Sequence, residues 1–173
     1  EKLYGCGKDF SSFLFVGITD GIGAGIYLDG DILKSRWGLG SELGHMSVDY
    51  NGIPCECGSR GCVENYASVN VILEQVETAI GRRMTFEECL SHSEEEASDQ
   101  ILTQALYKLC SCLVSVSNLL NPEAMIIGHE GVKLPERYLK QLETQLNRYK
   151  LSEDYNHIGI IKPHFGEESQ LLG

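Results

Sequence analysis

The sequence predicts a mixed α/β fold, and three observations carry that reading. The second half alternates long amphipathic patterns with short apolar runs, in the order helix, strand, helix, strand. The first half holds two apolar runs of strand length, and the second is followed by the hairpin dipeptide Asp29-Gly30. At 173 residues the chain can bury one sizeable core, so one domain is expected.

Phe13 to Ile18 is the first strand and Gly25 to Leu28 the second, with the return after Asp29-Gly30 running from Asp31 to Leu33. Val69, Leu73, Val76 and Ile80 form a helical stripe within Tyr66 to Ile80, closed by Gly81. Thr85-Phe86-Glu87-Glu88 reads as a capping box that opens a short helix. Ser91 to Asp99, acidic and serine-rich, reads as a solvated loop or helix entrance. From Ile101 a long helix runs through Leu109 and Val116 and stops before Pro122. Ala124 to Ile127 is a buried strand. Pro135 stands where a helix begins, which Tyr138, Leu142 and Leu146 continue, and Ile158 to Ile161 is a last strand. No internal repeat or long linker interrupts this order.

Composition narrows the partners. A net charge of −11 opposes contact with a polyanion, so this segment is not expected to hold DNA itself. No apolar run approaches a membrane span, no signal peptide is visible, and no membrane partner is expected. Seven cysteines without a secretory signal fit a reducing compartment, and the cytoplasm is the plain expectation.

The densest chemistry lies between positions 45 and 62. His45, Cys55, Cys57 and Cys62 offer one imidazole and three thiolates, a four-donor set that suits tetrahedral Zn²⁺. Gly44, Gly52, Gly58 and Gly61 surround them and let the backbone turn tightly. A disulfide knot and scattered buried thiols are the blander alternatives. The lack of a secretory signal and the odd count of three clustered cysteines speak against the knot.

The same stretch resembles a known family. Gly40-Ser41-Glu42-Leu43-Gly44-His45-Met46, followed by Cys55-Glu56-Cys57-Gly58-Ser59-Arg60-Gly61-Cys62-Val63-Glu64, looks like the paired signature of the ROK family of sugar-responsive repressors and sugar kinases. The resemblance runs from Phe13 to Gly173 and implies one lobe of an actin-like, ribonuclease-H-like fold with a zinc-binding loop. It makes residues 1–173 the C-terminal part of a ROK domain. It also implies upstream material: a phosphate-binding Asp-x-Gly-x-Thr turn, an Asn-Asp pair carrying the kinase base and, for repressors, a winged helix-turn-helix that would meet DNA. A homodimer is expected with it.

Hexoses are held by carboxylates and imidazoles that share several hydroxyl protons at once. A metal fixing His45 and the Cys55–Cys62 loop would set Glu42 and Glu64 around one small volume. The resemblance assigns Glu42, His45 and Glu64 to sugar hydroxyls, with His45 also a zinc ligand. Exposed charge is the bland reading for both glutamates.

The nucleotide side departs from the kinase pattern. Asp20-Gly21-Ile22-Gly23-Ala24-Gly25 lies between two strands, where Gly21, Gly23 and Gly25 would permit close approach of a phosphate. A tight strand-to-strand turn is the plainer reading, and the dinucleotide fingerprint is not met. ROK kinases resemble this turn but carry Thr or Ser where this chain has Asp20, and a carboxylate repels phosphate. After Ala124 to Ile127 they carry a glycine run, replaced here by Gly128-His129-Glu130-Gly131.

Other residues take plain readings. Cys110 and Cys112 are helix thiols, Cys6 and Cys89 have no ligand neighbours, and Trp37 is a packing residue or a sugar-site wall. His92, His129, His157 and His164 are scattered. Together these readings predict the sugar-sensing effector domain of a ROK-type regulator with structural Zn²⁺ and a degenerate nucleotide site. The alternative is an ATP-dependent hexose kinase using ATP and Mg²⁺.

Overall fold

The computed structural model describes residues 2–34, 41–93, 95–151 and 156–164. Trp37 and Gly40 lie outside them.

Strand β1 (Phe13–Ile18) is the middle of a five-stranded sheet. It pairs antiparallel with β2 (Ile22–Leu28), which pairs with the short β3 (Asp31–Ile32). Asp29 and Gly30 take positive φ, 49° and 90°, as a two-residue hairpin loop of primed type requires. On its other side β1 runs parallel to β4 (Ala124–His129), and β4 parallel to β5 (Gly159–Ile161), giving the order β3-β2-β1-β4-β5.

Of the five α-helices among the described residues, four lie between β3 and β4: α1 (Glu64–Ala67), α2 (Val69–Ile80), α3 (Phe86–Ser91) and α4 (Glu96–Leu120). The fifth, α5 (Glu136–Tyr149), bridges β4 and β5. Leu14, Val16 and Ile18 of β1 and Met125 and Ile127 of β4 join Leu102, Leu109 and Leu113 of α4 and Leu142 and Leu146 of α5 in the main core. The alternate residues Phe13, Ala124 and Ile126 form a smaller apolar cluster with Phe15 and Tyr27. Both faces of the central strands are therefore apolar, as parallel pairing within an α/β layer demands.

Strands β3, β4 and β5 differ from expectation by one or two residues at an end, β4 running on to His129, and three larger differences bear on the site. The glycine-rich stretch is mostly strand: Gly23 pairs with Gly17 and Gly25 with Phe15, leaving Thr19, Asp20 and Gly21 as the turn. The helix expected from Tyr66 breaks at Ser68, which is extended at ψ 156°, because the Val69 N–H turns to Thr19 O at 2.8 Å. The long helix starts earlier, at Glu96, so the acidic stretch is its first turn, where negative charge suits the helix dipole. The capping box at Thr85 and Glu88 and the left-handed C-cap at Gly81 are as expected.

Candidate metal and ligand site

His45 ends a short 3-10 turn, Leu43–His45, that leads out of the region beside β2. The following backbone pairs with the segment around Cys62: Val48 N–H donates to Gly61 O at 2.8 Å and Val63 N–H to Met46 O at 2.9 Å. That pairing brings the Cys62 sulfur to 3.5 Å from His45 O. Cys55 and Cys57 sit on a tighter turn, closed by Cys55 N–H to Ser59 O at 2.9 Å and Gly58 N–H to Cys55 O at 3.0 Å. Gly58 holds φ 90° there, a value that side chains resist.

The four donor atoms of His45, Cys55, Cys57 and Cys62 all lie within 4.8 Å of one another. Cys57 and Cys62 sulfurs are 3.6 Å apart, and His45 Nδ1 is 3.7 Å from Cys55 Sγ. All three cysteines are free thiols. Thiolates bound at about 2.3 Å around a tetrahedral ion stand about 3.8 Å apart, so the donor set fits one metal ion. The group runs from the exposed Cys57 to the buried Cys62.

The electrostatics agree with a cluster shaped for a cation. Burial, with the neighbouring Cys55 and Cys57, pushes the Cys62 thiol up to about 12. The Ser59 N–H, then Cys55, pulls Cys57 down. The hydrogen bond with Cys55, aided by the charges of Glu64 and Glu42, raises His45 against the opposing effect of burial. The raised Cys62 thiol keeps its proton while no positive charge stands beside it. Binding a metal would reverse that and release protons.

Glu64 opens α1 and touches the cluster directly. Its Oε1 is 3.1 Å from His45 Nδ1 and 3.6 Å from Cys55 Sγ. Gly44 makes this approach possible: a Cβ there would stand 2.5 Å from Ile22 O and 2.8 Å from Glu64 Oε2. A cleft of about 730 Å³ opens over these residues, lined by His45 and Glu64 together with Asp20 from the β1–β2 turn. Asp20, Glu56, Glu64 and Glu74 all line it, and none of its described lining residues is Lys or Arg.

The structure thus joins His45 and Glu64 at one surface and adds Asp20 to it. Glu42, which precedes the 3-10 turn, is exposed and does not line this cleft among the described residues. Of the three glycines, Gly21 is in the turn near Glu64, while Gly23 and Gly25 belong to β2. The wall supplied by α2, with Asn70, Val71, Glu74 and Gln75, went unmarked in the sequence reading. Its signal was there in the helical spacing of Val71, Glu74 and Gln75 opposite the buried stripe. Cys110 and Cys112 are buried thiols pushed up to about 11 and about 12 by burial, so they are packing groups.

Comparison with known proteins agrees with the geometry. The ROK family profile matches residues 1–173. The xylose repressor of Bacillus subtilis is 26% identical over 175 residues, covering 100% of this chain and 45% of the repressor. The N-acetylmannosamine kinase of Vibrio cholerae (strain O395) is 32% identical over 163 residues, covering 92% of this chain and 54% of the kinase. Among solved structures, a ROK family transcriptional regulator, homolog of the E. coli MLC protein, superposes with a TM-score of 0.87 at 27% identity, covering 97% of this chain and 46% of that one. This chain belongs to the ROK family, and its fold is the mixed α/β, actin-like ATPase type of ROK sugar kinases and regulators. It spans about half the length of the curated relatives it matches. Among the described residues no helix is long and apolar enough to cross a membrane.

Proposed function

We propose that this chain is the effector-sensing part of a ROK-type transcriptional regulator, in which Zn²⁺ held by His45, Cys55, Cys57 and Cys62 organises a sugar site and no phosphoryl group is transferred. The observation that carries it is the single cleft shared by His45, Glu64 and Asp20. His45 and Glu64 supply the imidazole and carboxylate that sugar hydroxyls require, and Glu42, exposed at the start of the turn and outside the cleft lining, is proposed as a further hydroxyl contact. Asp20 adds a negative charge at the turn that the resemblance to ROK kinases sets against phosphates, and a polyphosphate would meet repulsion there.

The far end of β4 supports the same reading. His129, at φ 55°, lays its ring over β1, where a Cβ on Gly17 would stand 2.5 Å from its Cδ2. Glu130 pairs with Lys133 at 3.1 Å. Two engaged polar side chains occupy a stretch where the resemblance to ROK kinases implies a run of glycines. Sugar binding would shift the balance between conformations, and a DNA-binding module elsewhere in the protein would read that shift. We place this role in a cytoplasmic homodimer, as the family resemblance and the free cysteines lead us to expect.

The second reading, an ATP-dependent hexose kinase, is favoured by the 32% identity to the N-acetylmannosamine kinase. Coupled ADP release separates the two. With Mg-ATP and glucose, N-acetylglucosamine, N-acetylmannosamine, fructose or xylose, no sugar-dependent turnover is expected. Turnover of about one per second or faster, the ordinary kinase range, would establish the kinase instead.

A further inference from the structure

Three side chains from separate parts of the chain meet beside the cysteine loop without touching its donor atoms. Lys108 of α4 reaches Asp49 in the loop, Nζ to Oδ2 at 3.4 Å, and lies 4.8 Å from the centre of the Tyr66 ring on α1. The Tyr66 hydroxyl accepts the Ile53 N–H at 3.2 Å. Asp49 in turn shapes its own segment, with Gly52 N–H donating to its carbonyl at 2.9 Å and Asn51 N–H to its carboxylate at 3.2 Å. Two glycines record how closely the parts fit. A Cβ on Gly52 would stand 2.1 Å from the Tyr66 hydroxyl, and one on Gly61 would stand 1.9 Å from Asp49 O.

Segment 49–53 leads straight to Cys55, and Gly61 precedes Cys62. Whatever fixes Asp49 therefore fixes where both ends of the thiolate loop lie. A loop left free would lose conformational entropy on every metal-binding event, and pre-ordering removes that cost. We propose that Asp49, Tyr66 and Lys108 form a clamp that ties loop 49–62 to α4 in the shape that takes up metal, making them positioning residues for a site they do not touch. This rests on the metal reading given above. It also links the sugar site mechanically to α4, the helix that runs on to β4 and His129.

The test is zinc affinity of the whole protein by competition with a colorimetric chelator, with circular dichroism to check folding. In Lys108→Met, affinity should fall about tenfold, the lower end for groups that support metal ligands, because this ion pair is half-exposed. The ratio of wild-type to variant affinity should shrink in about 1 M salt, where such a pair is screened. Lys108→Arg, which keeps both the charge and the ring contact, should restore most of the affinity. Asp49→Asn removes the same pair from its exposed end, and combining it with Lys108→Met should add little further loss. It also carries the test if Lys108→Met does not fold. Undiminished affinity in a folded Lys108→Met or Asp49→Asn, or equal losses in Lys108→Arg and Lys108→Met, would overturn the clamp alone. A wild-type protein that takes up no zinc would overturn the metal reading and the clamp with it.

Discussion

Gly61 holds φ +67°, and a Cβ at that position would stand 1.9 Å from the backbone oxygen of Asp49. An alanine there adds a strained backbone to a clash with backbone that no side-chain movement relieves, and the next residue is the proposed ligand Cys62. Gly61→Ala should lower metal affinity by at least about tenfold while every donor atom remains present, with a stability cost of about 1–3 kcal/mol. Zinc content after dialysis against a weak chelator checks this. Full retention would show that the loop's shape does not govern binding. At this scale the clustering of His45, Cys55, Cys57 and Cys62 was legible because imidazole and thiols at short spacing have few other reasons to gather. The placement of Asp20 against His45 and Glu64 was not legible as a cleft, since it depends on the β1–β2 turn meeting a segment more than twenty positions away. Glu64 was expected beside His45 and the cysteine loop, but the close approach that the bare α-carbon of Gly44 permits was not legible.

The strands were the most legible elements. Phe13–Ile18 was read to the residue, and the Asp29-Gly30 hairpin followed from its demand for positive φ. The break between α1 and α2 was not legible. Apolar periodicity continues across Ser68, while the competing bond from Val69 to Thr19 is a tertiary contact. Another such contact ties β1 to β4. Glu123 accepts from Ser11 N–H at 2.9 Å, Ser11 Oγ at 2.5 Å and Ser12 N–H at 2.9 Å. The hydrogen bonds to Ser11 and Ser12 hold its carboxyl below the ordinary range. With the folded-state pKa depressed, this stabilisation is complete above the usual carboxylate value and is lost as pH falls through the lower folded value. Glu123→Gln should cost about 1 kcal/mol at neutral pH and remove that part of the acid dependence. Urea midpoints from pH 7 down to pH 3 give the readout. Parallel midpoint-versus-pH curves for the two proteins would contradict it.

For the molecule as a whole, the net charge of −11 and a cleft lined by Asp20, Glu56, Glu64 and Glu74 point the same way. Such a surface disfavours anionic ligands, so a sugar phosphate should bind at least about tenfold more weakly than the matching neutral sugar at low salt. The two should differ less as salt rises. Sheet order and the joining of cleft to the His/Cys cluster are properties of this scale, and composition alone reaches only the sign of the charge. The family resemblance supplied the rest, because the signature from Gly40 to Glu64 carries a fold with it. The decisive measurement is calorimetric titration of xylose, glucose, N-acetylglucosamine and N-acetylmannosamine into three forms of the protein: as purified, stripped by chelator, and reloaded with zinc. At least one sugar should bind the first and third forms and not the second, and ATP should give no binding heat with any. Undiminished sugar binding to the stripped protein, or ATP binding to the reloaded one, would contradict a zinc-organised sugar sensor.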